Sequence, residues 1–446
     1  MSVRICKEAK MGMRNGYEAE NHRRRPKLKD VVIVSGVRTP IGRYGGALRD
    51  LEVHKLGSIV LQEVVKRAGI DPADVDDVIM GQSYQNGECA NGARMALLDA
   101  GWPVMVPGVT LDRRCCSGLD AVFFGVMKIQ TDNADVIVAG GMDSMSQAEL
   151  YIPGHIKWGL GGKVVEKWGF MPKGHGALSM WGIPLYDRIQ RARVMSQPIE
   201  KFGELNSMMT WAEAAAKNEN ISRREADEWA LRSHQKAIAA IDSGKFSEEI
   251  IPVRIPQRKG DPIVFDKDET PRRESSLEKL NQLTPVYTDG VCTAGNSSTE
   301  NDGAAAVLLM AEKKAGELGI EPMATFRSCA VAGADPTLTY PAVPASVDKA
   351  LEKAGIGIED VGLFEIQEAF AVQALADARM MGIRQEDFDK KINVNGSGIS
   401  LGHPIGATGA MRLVTLIHEM KRRGCRHGLE TICGGGGLGI AAVVER

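Results

Sequence analysis

The chemistry-bearing residues are densest at Asp112-Arg113-Arg114-Cys115-Cys116-Ser117-Gly118-Leu119. The apolar, β-branched run from Val106 to Leu111 predicts a strand before the cysteines. The amphipathic run from Leu119 to about Gln130 predicts a helix after them. Both thiols then stand at a helix entrance, where unpaired N–H groups and partial positive charge lower a thiol pKa. Arg113 and Arg114 push the same way. The competing reading is an inert pair, because free cysteine packs as a small hydrophobe.

Three further clusters carry reactive types. Gly402-His403-Pro404-Ile405-Gly406-Ala407-Thr408-Gly409 sets a histidine in a glycine-rich turn leading into a helix, away from any apolar face. Cys433-Gly434-Gly435-Gly436-Gly437-Leu438-Gly439 follows an apolar strand, and Gln367-Glu368-Ala369-Phe370 ends another. A thiolate nucleophile, a histidine base and a second thiol as proton donor form a coherent acyl-transfer set. The glycines after Cys433 can point backbone N–H groups at an oxyanion, or can simply make a tight turn.

The elements that must position these residues repeat. Ala68-Gly69-Ile70 before Asp74-Val75 resembles Ala354-Gly355-Ile356 before Asp360-Val361. Each copy continues as strand, helix, strand, glycine turn, helix, and a last apolar strand running into glycines. In the second copy Gly406-Ala407-Thr408-Gly409 stands where the first has Cys115-Cys116-Ser117-Gly118. This predicts two duplicated α/β halves packed pseudo-symmetrically, with a site built from the turns of both. Four segments are expected: a basic extension over residues 1–29, a first half over 30–146, an inserted region over 147–275, and a second half over 276–446. Ile221 to Ser243 reads as a helix, and Lys259 to Glu278 as charge-rich turns.

The 446 residues carry a net charge of −2, which argues against a general nucleic-acid binder. Eight scattered cysteines with no C-x-x-C pair argue against a zinc site or a disulfide framework and fit a reducing compartment. No apolar run spans a bilayer, and the N-terminal stretch lacks a signal peptide's apolar segment. The cytoplasm is the expected location.

From Asp30 to Arg446 the chain resembles the thiolases. The motifs that carry the resemblance are Val34 to Gly42, Arg113 to Leu119, Thr293-Ala294-Gly295-Asn296-Ser297-Ser298, Asn301-Asp302-Gly303-Ala304-Ala305, Gly402 to Gly409 and Cys433 to Gly439. The resemblance implies an α/β fold of five layers, αβαβα, with an inserted loop domain. It implies Cys115 as the acylated nucleophile, His403 as its activator and Cys433 as the proton carrier at the α-carbon. One oxyanion hole would use the N–H groups of Cys115 and Gly435; the other, His403 and a water held by Gln367. Ser298 would touch the pantetheine arm. Coenzyme A would be the co-substrate, with no permanently bound cofactor and no metal. The partners implied are acyl-CoA thioesters of fatty acid metabolism and further copies of the chain, as a homodimer or homotetramer.

The activity implied is a CoA-dependent acyltransferase, and acetyl-CoA acetyltransferase in particular. Alternatives are a degradative thiolase for a larger 3-oxoacyl-CoA, a decarboxylating 3-oxoacyl synthase, and a non-catalytic acyl-CoA-binding or scaffold protein. Three positions depart from the family pattern. Gln367 stands where Asn is usual, Trp211 where a small threonine is common, and no histidine follows Met145-Ser146.

Overall fold

A computed structural model of the chain describes residues 28–154, 177–180, 183–204 and 208–446. Most of the extension expected over 1–29, and part of the inserted region, lie outside these residues. The first half runs β1 (Val31–Arg38), α1 (Val53–Ala68), β2 (Asp77–Gly81), α2 (Gly92–Asp99), β3 (Gly108–Leu111), α3 (Ser117–Gln130) and β4 (Val136–Ser144). The inserted region contributes α4 (Arg188–Val194), α5 (Met208–Asn218) and α6 (Arg223–Asp242). Then come β5 (Asn301–Ala311), β6 (Ala324–Gly333), α7 (Ala342–Ala354), β7 (Leu363–Ile366), α8 (Ala371–Met380), α9 (Thr408–Arg423), β8 (His427–Gly434) and β9 (Leu438–Glu445).

The main strands lie in the order β7-β8-β9-β6-β1-β5-β4-β2-β3. Parallel pairing joins β2 to β3 and β4, and β7 to β8; the rest is antiparallel. The repeat is visible in this order. The first half reads β3-β2-β4-β5-β1 outward to inward, and the second reads β7-β8-β9-β6, with an isolated parallel bridge from Phe364 to Ile392 standing where β3 stands. Strand β5 lies beyond residue 276, yet its hydrogen bonds to β1 and β4 make it a strand of the first half.

Burial sorts the helices into layers. The apolar stripe of α1 (Leu56, Val60, Val64, Val65) shares one core with α2 and the outer face of the first-half strands. Helices α7 and α8 share another with the second-half strands. Between them, α3 and α9 interleave from both halves: Leu119, Val122 and Val126 meet Leu413, Val414 and Ile417. The sequence helix, sheet, helix, sheet, helix is the five-layer arrangement expected.

Helices α3 and α9 cross backbone to backbone at their starts. A Cβ on Gly118 would lie 2.8 Å from Ala410 N, and one on Gly409 would lie 2.6 Å from Leu119 N. This reciprocal contact explains why both strand–helix turns carry glycine at matching places. It also brings the two turns, residues 115–118 and 403–409, into one neighbourhood.

The inserted region is tied into the molecule. Trp211, Ala215, Ala226 and Trp229 pack into the second half's outer core. Helix α6 begins with a capping box at Ser222 and Glu225, matching the helix expected over 221–243. The charge-rich stretch after 259 contains a short strand, Ile263–Phe265, paired with Val253–Ile255. Asp268 and Glu249 reach inward to the fully buried Arg38, at 2.7 Å each.

Candidate active site

Cys115 sits in the turn between β3 and α3. Arg114, just before it, is held at φ 53°, a left-handed conformation that costs a non-glycine residue strain. Side chains hold that turn. Ser117 Oγ accepts from Arg113 N–H at 2.7 Å and donates to the Arg114 carbonyl at 2.6 Å. Ser83 Oγ donates to the same carbonyl at 2.8 Å, and Asp112 accepts from Arg114 N–H at 2.7 Å. Cys116 turns the other way: it is fully buried, with Sγ 3.6 Å from the Ile432 carbonyl. The structure thus separates a cavity-facing thiol from a packing thiol.

The expectation of a lowered Cys115 pKa is corrected. Burial pushes the thiol up to about 11, and the backbone N–H of Gly435 and the charge of Arg114 offset this only in part. Arg113 is spent on Asp120, 2.7 Å away. Desolvation outweighs the helix terminus, so the free enzyme holds Cys115 as the neutral thiol.

His403 is buried in the turn before α9. Its backbone N–H donates to Asn301 Oδ1 at 2.8 Å. Its Nδ1 lies 2.7 Å from Thr408 Oγ1, and that hydroxyl donates to the Pro404 carbonyl at 2.8 Å. A hydroxyl has one proton and a carbonyl can only accept, so Thr408 must accept from Nδ1–H. Nε2 is left with its lone pair and no hydrogen-bond partner among the described residues. Burial, and the charges of Arg412 and Arg193, lower the imidazole to about 3, so it is neutral in the free enzyme. Beneath this turn Asp143 accepts from the N–H groups of Gly406, Ser83 and Tyr84, at 2.6, 3.2 and 3.1 Å.

Cys433 lies near the end of β8, buried, and its thiol is pushed well above the ordinary value by burial and by the neighbouring Cys115. Gly436 and Gly437 follow with φ of 88° and 80°, conformations open to glycine. That turn brings the Gly435 N–H to the Cys115 sulfur.

One cavity of about 550 Å³ is lined by Cys115, His403, Cys433, Gly435 and Ser298, five of the six residues singled out from sequence. Gln367 is not in its wall. Its side chain is fully buried, its Oε1 accepts from Arg412 Nε–H at 3.2 Å, and its Nε2 lies against Gly398 without a partner among the described residues. Arg412 Nη2 also donates to the Gly402 carbonyl at 3.0 Å, which ties Gln367 to the His403 turn from below. Trp211 does line the cavity, edge-on to Phe370 at 5.2 Å.

Several positioning residues escaped sequence reasoning: Thr408, Asn301, Ser117, Asp143 and Arg412. Thr408, Ser117 and Asn301 stand inside motifs that were noticed, so only their roles were missed. Arg193 and Glu300 also line the cavity and had no local signal. Among the described residues no group of three or more His, Cys, Asp or Glu is arranged to hold a metal ion.

Such a cavity can carry an acyl group on sulfur while a second thiol moves a proton at a neighbouring carbon. The class it defines is a thiol-dependent acyltransferase. Comparisons agree. The family described as Thiolase, N-terminal domain, matches residues 31–313, and Thiolase, C-terminal domain, matches residues 320–446. An acetyl-CoA acetyltransferase of Chromobacterium violaceum is 42% identical over 418 residues, covering 94% of this chain and 100% of the relative. A probable acetyl-CoA acyltransferase of Staphylococcus aureus is 40% identical, covering 93% of this chain and 99% of the relative. The crystal structure of the Bacillus anthracis acetyl-CoA acetyltransferase superposes with a TM-score of 0.84 at 41% identity, covering 94% of this chain and 100% of that one. The chain belongs to the thiolase family and is an acyltransferase enzyme.

Proposed function

We propose that the protein is an acetyl-CoA acetyltransferase that joins two acetyl-CoA molecules or cleaves a 3-oxoacyl-CoA with coenzyme A. The observation that carries this reading is the meeting of Cys115, His403 and Cys433, from three separate turns, in one cavity. In cleavage, His403 Nε2 takes the Cys115 proton as sulfur attacks the 3-oxo carbon. The bond between C2 and C3 breaks, and its electron pair passes to C2 as the enolate of acetyl-CoA. Cys433 protonates C2, and acetyl-CoA leaves. Coenzyme A then gives its proton to the Cys433 thiolate and attacks the acyl-cysteine; Cys115 departs as thiolate and regains its proton from His403. Every proton is returned, and condensation is the reverse. The N–H groups of Cys115 and Gly435 stabilise the oxyanion of the acyl-cysteine step.

A second groove, of about 430 Å³, shares Ala294, Ser297 and Thr299 with the catalytic cavity and carries Arg272, Arg273 and Lys279. Its continuity and basic side chains support coenzyme A as co-substrate, with phosphates outside and the pantetheine arm passing Ser298. His403 is the one histidine of the cavity wall among the described residues, which favours thiolase chemistry over decarboxylating synthase chemistry. No helix among the described residues is long and apolar enough to cross a membrane. Exposed Val104, Met105 and Val109 beside the edge strand β3 support self-association.

Mass spectrometry after incubation with acetyl-CoA tests the reading. The native enzyme is expected to carry acetyl on Cys115, and Cys115→Ala to carry none and to lose turnover. Cys433→Ser should still be acetylated yet lose carbon–carbon bond chemistry by orders of magnitude, roughly 10²-fold or more. An unlabelled native Cys115 would overturn the acyl-cysteine route.

A further inference from the structure

Arg193 and Glu300 form an ion pair in the wall of the catalytic cavity, and the chemistry above uses neither. Arg193 belongs to α4 of the inserted region. Glu300 directly precedes β5, and its backbone bridges to that of His403. Arg193 Nη2 donates to Glu300 Oε1 at 2.5 Å, and Nη1 reaches Gln190 Oε1 at 3.5 Å. The two side chains are 25% and 26% exposed.

The rest of the lining is largely apolar, with Met145, Met208, Val286, Phe370 and Ile405, so a charged group entering it finds few polar partners besides Arg193. Arg43 stands in the same wall, with Tyr44 beside it. Against these, Glu300 is the one carboxylate of the wall, and His403 is neutral. A guanidinium offers five N–H groups in a planar fork, and the pair occupies only part of that fork. An acetyl group uses none of these donors. A longer methyl-ended chain would strip water from the ion pair and return no hydrogen bond. A carboxylate at the acyl end would match the open edge of the fork and supply the missing acceptors.

We propose that this cavity takes 3-oxoacyl-CoA substrates whose acyl end bears a carboxylate, with Arg193 recognising it and Glu300 holding Arg193 in place. The proposal rests on the acyl-transfer reading above and names the substrate class for it. Arg193 is a specificity residue here, not a participant in bond making.

The test is thiolysis of two six-carbon substrates of equal length: 3-oxohexanoyl-CoA and its counterpart with a carboxylate at carbon six. The quantity read is the ratio of kcat/KM, carboxylate over methyl, taken within each enzyme so that changes in overall activity cancel. The native ratio is expected to exceed about ten, to fall toward one in Arg193→Gln, and to lie between in Arg193→Lys, which keeps charge and loses the fork. A native ratio near or below one, or an equal ratio in Arg193→Gln and native enzyme, overturns the proposal. Should Arg193→Gln fail to fold, Arg193→Lys decides: a ratio unchanged from native overturns it. Acetoacetyl-CoA is the control: native enzyme that cleaves it but neither six-carbon substrate, or that prefers the methyl-ended one, overturns only this inference, whereas native enzyme that cleaves none of the three counts against the acyl-transfer reading itself.

Discussion

Thr408 decides which nitrogen of His403 can work. By accepting from Nδ1–H it leaves the Nε2 lone pair free for the base role proposed above, a part that its position in a glycine-rich turn did not disclose. Thr408→Val keeps the shape and removes the acceptor. The lost hydrogen bond, on the order of 1–3 kcal/mol, predicts a fall in kcat of roughly 5- to 100-fold with KM little changed. Steady-state kinetics check this, and an unchanged kcat would contradict the tautomer assignment. Cys115 carries a second prediction with a defined sign. Its thiol is raised to about 11, so the thiolate fraction is small at neutral pH and grows as pH rises. Alkylation of Cys115 by iodoacetamide in the free enzyme should climb about tenfold per pH unit from pH 7 to 10. A plateau reached by pH 8 would show an activated thiolate and defeat this picture. At this scale residue types and motif spacing pointed to His403, Cys433 and the Cys115-Cys116 pair, and the thiolase resemblance chose Cys115 from that pair. They were not enough for the sign of a pKa shift, because desolvation depends on what the fold stacks over the thiol.

At the scale of elements, the crossing of α3 and α9 does the positioning. In an exposed helix Gly→Ala gains about 1 kcal/mol. At Gly409 the added carbon would sit 2.6 Å from Leu119 N and 2.8 Å from Leu119 Cβ, so overlap wins. Gly409→Ala should destabilise the protein by roughly 1–3 kcal/mol and displace the His403 turn from Cys115. Thermal unfolding together with acetylation of Cys115 reads both effects; a raised melting temperature with full acetylation would contradict it. The strands and helices were largely legible, since the stripe Leu56, Val60, Val64, Val65 is buried as its spacing requires. The stretch after residue 259 was less so. Its charges read as solvated turns, while Asp268 is in fact buried against Arg38. Hydrophobic periodicity cannot reveal a carboxylate whose partner lies 230 residues away.

For the molecule as a whole, that buried cluster joins the inserted region to the first half. Arg38 binds Glu249 and Asp268, and Thr415 of α9 donates to Glu249 at 3.0 Å. Arg38→Met would leave two carboxylates buried without their cation, at a cost of roughly 3–5 kcal/mol. Urea unfolding should show a clearly lower midpoint, and an unchanged midpoint would refute the structural weight given to the cluster. The internal repeat, read from two short matching stretches, announced the duplicated halves and a site drawn from the turns of both. Self-similarity survives in sequence because each half must build the same layers. The sequence by itself determined the candidate reactive residues, the repeat and the family resemblance, for these live in local patterns of residue type. Only the tertiary structure decided that Cys115 is a neutral, half-buried thiol facing the cavity, that Gln367 lies behind the cavity wall, and that Arg193 meets Glu300 inside it. Each of these depends on burial and on contacts between distant segments, which no local pattern records.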